Sequence, residues 1–129
     1  MTRILVIEDN QAIREVTARL LSAAGYEVLA AEGGEQGLRL WREHGADVVL
    51  TDARMAGLDG LQVVNALRAD APALPVVIMS GDAKAGADLL RDATGPRVRF
   101  LNKPFLREQL IGAVTAALGG EPRSDSPSS

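Results

Sequence analysis

The sequence predicts an α/β fold: a doubly wound parallel sheet of five strands with helices on both faces. Two observations carry this expectation. Five short apolar runs, residues 3–7, 26–31, 46–51, 76–79 and 98–101, alternate with five stretches of helical periodicity. Strands separated by helical patterns build βαβ units, whose strands run parallel. Four of the runs also lead into polar groups: Glu8-Asp9, Asp52, Ser80 and Asn102-Lys103-Pro104. Ligands of open parallel sheets bind outside the carboxyl ends of the strands. Three acids, a hydroxyl and a lysine are therefore expected at one edge.

The first strand is residues 3–7, and Asn10 is placed to cap the helix that follows. Ile13, Val16, Leu20 and Ala24 share one face of that helix at helical spacing, and Gly25 marks its end. Residues 26–31 form a more polar strand, expected at a sheet edge. The second helix, residues 34–44, packs through Leu38 and Trp41. The third strand, 46–51, delivers Asp52 into the loop from Ala53 to Gly60. Leu61, Val64 and Leu67 face inward from the third helix, which ends near Pro72 and Pro75. Residues 76–79 are apolar throughout, as a central strand covered on both faces should be.

A fourth helix is expected over about 83–93 and is the weakest element. Its inner face is mostly alanine with Leu89 and Leu90, and Gly86 costs roughly 1 kcal/mol against alanine. The fifth strand is 98–101. Pro104 suits the first turn of a fifth helix with the stripe Leu110, Val114, Ala117 and Leu118. Beyond Gly119-Gly120 the composition turns to serine, proline and charge. One domain over 1–118 and a flexible tail over 119–129 follow.

At 129 residues the chain is long enough for one core, and 47% hydrophobic with 24% charged residues is ordinary for a soluble protein. A net charge of −3 gives no reason to expect nucleic acid, whose recognition wants a basic face. Without cysteine, neither a disulfide framework nor a thiolate metal site is possible. No leader peptide or membrane-length apolar run is seen, so a cytoplasmic protein is expected, with no membrane partner. Basic residues are nearly all arginine, and the lysines are Lys84 and Lys103 alone. Lysine offers a compact point charge that arginine's planar fork does not reproduce, which makes Lys103, between a strand and a proline, a candidate for chemistry.

An acid pair near a third carboxylate is a hard-oxygen arrangement suited to Mg²⁺. A carboxylate beside such a metal can attack a phosphoryl group and become an aspartyl phosphate. Charge then spreads over the phosphoryl oxygens, where a metal, a lysine and a hydroxyl are useful. Asp52, Lys103 and Ser80 supply the protein's share of that set.

The combination is specific where each part is weak. Glu8-Asp9, Asp52 with Met55 and Asp59-Gly60 behind it, Ser80-Gly81, and Lys103-Pro104-Phe105 follow successive strands. This closely resembles the receiver domain of bacterial two-component response regulators, over Met1 to about Leu118. The resemblance implies a flavodoxin-like (βα)5 three-layer sandwich with sheet order 2-1-3-4-5. It implies Asp52 as phosphoacceptor, and Asp9, Asp52 and the backbone carbonyl of Arg54 as Mg²⁺ ligands, with Glu8 near the metal through water. Ser80 would bind the phosphoryl group and couple it to the output face. Lys103 would contact the phosphoryl oxygens and pair with Asp52 when the site is empty. Lys103–Pro104 would be a cis peptide, and Phe100 the aromatic that moves inward on switching.

The same resemblance implies a sensor histidine kinase or histidine phosphotransfer protein as donor, and a downstream protein as receiver of the signal. That partner, or a weak dimer, would use the surface of the fourth helix, fifth strand and fifth helix. The chain would catalyse only its own phosphotransfer and slow dephosphorylation, and so is not expected to be an enzyme. Three positions depart from the common pattern: Ala56 stands for a frequent proline, Phe100 for tyrosine, and the acid pair is Glu-Asp. Arg54 and Asp82, two residues past the phosphoacceptor and the hydroxyl, are predicted to pair across the site mouth and slow hydrolysis. His44 is assigned no chemistry. Two alternatives are a phosphorylation-independent adaptor on this scaffold and the receiver module of a hybrid histidine kinase. A phosphohydrolase would want a second acid where Arg54 stands, and the acids after the first strand would repel an FMN phosphate.

Overall fold

A computed structural model describes residues 1–55, 57–82, 84, 87–88 and 98–119. Strands β1 (Arg3–Ile7), β2 (Glu27–Ala31), β3 (Val48–Asp52), β4 (Val76–Ser80) and β5 (Val98–Asn102) form one parallel sheet in the order β2-β1-β3-β4-β5. Helices α1 (Gln11–Ala23), α2 (Gly34–His44), α3 (Gly60–Asp70) and α4 (Arg107–Gly119) are described. The last of these is the fifth helix expected from the sequence. The helix expected over 83–93 falls mostly outside the described residues, as do Ala56 and the tail from 120 onward.

Alternation along the strands builds two cores. Ile4, Val6, Val48, Leu50, Val77 and Met79 pack against Leu21 of α1 and Leu110, Val114 and Ala117 of α4. Leu5, Ile7 and Val49 point the other way, onto Leu38 of α2 and Val63 and Leu67 of α3. Val76 and Ile78 meet Val64 of α3 on that same side. The period of two along a strand sends successive side chains to opposite faces. Runs such as Ile4–Ile7 and Val76–Met79 are buried on both faces and need no polar residue. The result is the flavodoxin-like three-layer fold. No helix among the described residues is long and apolar enough to cross a membrane.

Three local expectations are corrected. β3 runs to Asp52, which registers against Met79, and Ala53 N–H bonds the Met79 carbonyl at 2.8 Å. The carboxylate thus stands on the sheet ladder, not in a loop. The buried face of α1 is Thr17 and Leu21, whereas Val16 is 49% exposed. A buried threonine carries no apolar signal, so the buried face lies about one residue from the apolar stripe. Finally, α4 starts at Arg107, beyond Pro104. Leu106 takes the capping place: its carbonyl accepts from Leu110 N–H at 3.0 Å, and its N–H donates to Gln109 Oε1 at 2.8 Å.

Other caps form as their residues dictate. Asn10 Oδ1 accepts from Ile13 N–H at 3.0 Å, and Gly25 follows α1 with a φ of 99° that favours glycine. Asp59 and Gln62 close a reciprocal capping box on α3. The Asn10 and Asp59 caps set where the loops after β1 and β3 end.

Candidate functional site

Parallel register brings the strand ends level: Ile7 lies opposite Thr51, Asp52 opposite Met79, and Ser80 opposite Asn102. The loops that follow therefore meet above β1, β3, β4 and β5. Glu8 is fully buried and held on three sides. Its N–H bonds the Ala31 carbonyl at 3.1 Å, its Oε2 accepts from Asn10 N–H at 3.1 Å, and its carbonyl accepts from Arg14 Nη1 at 2.9 Å. Asp9 is exposed beside it, and Asp52 is only 8% exposed at the tip of β3. Carboxylate oxygens of Glu8, Asp9 and Asp52 all lie within 4.8 Å of one another.

Lys103 reaches this cluster from the far side. Its N–H bonds the Ser80 carbonyl at 2.9 Å, which continues the β4–β5 ladder past Asn102. Its Nζ stands 2.5 Å from Glu8 Oε1 and 3.2 Å from Asp52 Oδ1. The Lys103–Pro104 peptide is cis. Ser80 Oγ is engaged in a turn, donating to the Asp82 carbonyl at 2.8 Å and accepting from Asp82 N–H at 3.0 Å. Arg54 Nη2 lies 3.8 Å from Asp82 Oδ2, with both side chains largely in solvent. Phe100 is half-buried on β5 against the Val64, Val76 and Ile78 cluster.

Three carboxylates face one ammonium, and that imbalance sets the electrostatics. Burial, then the charge of Glu8 and a hydrogen bond shared with it, push Asp52 up from 3.8 to about 7, against the pull of Lys103. Burial lowers Lys103, but its contacts with Glu8 and Asp52 outweigh that and leave it raised. A buried carboxylate that resists ionisation, in a hard-oxygen cluster open on the Asp9 side, is a site short of positive charge. The donor set fits Mg²⁺, which favours oxygen ligands and keeps several waters.

Glu8, Asp9, Asp52 and Lys103 thus converge, and Arg54 and Asp82 pair in the loops after β3 and β4. Ser80 stands at the same edge, with its hydroxyl turned to Asp82. Sequence reading missed Arg14, whose bond to the Glu8 carbonyl crosses from α1 to the acid loop. Its position one turn past the Asn10 cap, on the side facing the loop, is the only signal that pointed to it.

The pattern of the response regulator receiver domain matches residues 4–115. The chain belongs to that family. As a receiver domain it is a component of two-component signalling. Protein PilH of Pseudomonas aeruginosa is 34% identical over 93% of this chain and 100% of its own length. Response regulator MprA of Mycobacterium sp. (strain KMS) is 33% identical over 98% of this chain, which spans about half of that relative (55%). Among solved structures, a response regulator receiver domain protein from Clostridium thermocellum superposes with a TM-score of 0.81. It is 29% identical, over 92% of this chain and 95% of its own.

Proposed function

We propose that this receiver domain is a Mg²⁺-dependent phosphorylation switch whose acceptor is Asp52. The observation that carries this reading is the convergence of Glu8, Asp9 and Asp52 on one point, with Lys103 Nζ 3.2 Å from Asp52 Oδ1. Glu8, Asp9, Asp52 and the Arg54 carbonyl would hold the metal, which when bound supplies charge neutralisation at the phosphoryl oxygens. An Asp52 oxygen attacks the phosphorus of a phosphohistidine on a histidine kinase or phosphotransfer protein. The P–N bond breaks as the P–O bond forms, and the imidazole leaves with its electron pair. Lys103 trades its contact with Asp52 for a phosphoryl oxygen, where its charge opposes the charge that develops.

Switching then falls to Ser80 and Phe100. Ser80 Oγ gives up the Asp82 carbonyl, a bond of 2.8 Å, to meet the phosphoryl group. That change lies on β4 beside β5, where Phe100 pairs opposite Ile78 and can fill space left behind. The output surface would comprise β5, α4 and the segment over 83–93, and would serve a downstream protein in the cytoplasm. No separate substrate is turned over in this reading. It is tested by NMR on the full chain with Mg²⁺ and beryllofluoride, a mimic of the phosphoryl group. Shifts that need both reagents and reach from Asp52 to Ser80 and β5 are expected. Shifts confined to the acid loop would contradict the switch.

Arg54 and Asp82 would modulate the lifetime of the aspartyl phosphate. Their pair is 76% and 56% exposed at the two side chains, so its worth is about 0–1 kcal/mol. Acting on access of the hydrolytic water, it should slow dephosphorylation by at most about fivefold. Arg54→Asn is expected to shorten the phosphoprotein's half-life by that factor, read by intact mass over time. An unchanged half-life would remove the pair from the mechanism.

A further inference from the structure

The Asp9 carboxylate is the exposed member of the acid cluster, and among the described residues no hydrogen bond or ion pair holds it. Glu8 is buried and tied to Lys103, and Asp52 stands on the sheet ladder with Ala53 bonded to Met79. The aim of Asp9 therefore depends on its backbone. The peptide from the Glu8 carbonyl to the Asp9 N–H is one rigid plane. Fixing that carbonyl restricts the ψ of Glu8 and the φ of Asp9, the torsions that direct the Asp9 side chain.

One group on α1 fixes it: Arg14 Nη1 donates to the Glu8 carbonyl at 2.9 Å from six residues along the chain. Arg14 is itself half-buried, and its N–H bonds the Asn10 carbonyl at 2.9 Å in the first turn of α1. The guanidinium thus ties the acid loop to the helix that the same loop caps.

We infer that Arg14 is a positioning residue for metal binding, holding the Glu8–Asp9 peptide so that the Asp9 carboxylate is preset toward Asp52. This rests on the Mg²⁺ reading of the site. Two effects of Arg14 oppose each other. As a clamp it favours the metal by lowering the ordering needed in the loop. As a fixed cation it disfavours a second cation nearby. The sign of its removal therefore separates positioning from simple electrostatics.

Arg14→Met keeps the aliphatic stem and the helix propensity while removing donor and charge. The full ¹⁵N-labelled chain is titrated with Mg²⁺ at pH 8 and fixed ionic strength, following the Asp9, Asn10 and Ala53 amides. Partners that orient a ligand without touching the metal are commonly worth about 10- to 100-fold in affinity. Binding is expected to weaken by about tenfold, the lower end, with the metal-free unfolding midpoint retained. Equal or tighter binding in a folded variant would overturn the inference and leave the Mg²⁺ site intact. If Arg14→Met does not fold, Arg14→Gln is judged by the same criterion. Absence of any Mg²⁺ response in the unmodified protein would overturn both the inference and the reading beneath it.

Discussion

Exchanging Lys103 for methionine is expected to slow phosphorylation of Asp52 by a small phosphodonor by roughly 10²–10³. Among the described residues the ammonium is the cation paired with the cluster's carboxylates, touching both Glu8 and Asp52. With it gone, charge on the transferring phosphoryl group would, on the proposed mechanism, meet only a bound metal and the Ser80 hydroxyl. Folding should suffer too. Glu8 is fully buried, and its Oε1 has Lys103 as its partner among the described residues. Removing one member of such a pair leaves a buried charge unmatched, at a cost on the order of 3–5 kcal/mol unless a proton is taken up. The loss should therefore be larger at pH 8 than at pH 5, where Asp52, raised to about 7, is protonated and the uncompensated charge is smaller. Urea unfolding of both proteins in EDTA at the two pH values checks this. A loss independent of pH would mean that Lys103 matters for packing and not for charge.

Asp52→Asn is expected to abolish phosphorylation yet stabilise the metal-free fold above neutral pH. Asp52 is raised from 3.8 to about 7 in the folded protein. A carboxyl whose folded pKa is raised contributes stability below its unfolded value, and that contribution is lost as pH climbs through the folded value. The unmodified, metal-free protein should accordingly weaken between about pH 4 and pH 7 and level off above. Asparagine has no charge to bury beside Glu8, and Lys103 keeps its 2.5 Å contact with Glu8. The variant's advantage should grow across the same window, to an upper bound of about 4 kcal/mol at pH 8 for a shift of that size. Excess Mg²⁺ should shrink it by stabilising the unmodified protein. Unfolding midpoints at pH 5 and pH 8 measure the difference. An advantage that did not change with pH would contradict the raised Asp52.

Much of this architecture is legible in the sequence. The strands are short, apolar and flanked by glycine, proline and acids, so existence and order along the chain follow from period alone. Asp52, Lys103 and the Glu8-Asp9 pair were legible because each ends a strand of a parallel sheet, and such ends meet. What escaped depends on tertiary contact. Thr17 is buried without being apolar, so the inner face of α1 does not follow the apolar stripe. Asp52 belongs to β3 because β4 offers the Met79 carbonyl to Ala53 N–H, a partner the local sequence does not reveal. The start of α4 beyond Pro104 is decided by the Gln109 side chain capping Leu106. The role of Arg14 rests on its bond to the Glu8 carbonyl, a tertiary contact that the local sequence does not encode.

Chemistry and geometry meet most directly in the mass of the intact protein after incubation with acetyl phosphate and Mg²⁺, beside Asp52→Asn. One added phosphoryl group is expected, present with Mg²⁺, absent in EDTA and absent in the variant. No phosphoryl gain in the presence of bound Mg²⁺, or an equal gain in Asp52→Asn, would contradict the assignment of Asp52 as the acceptor.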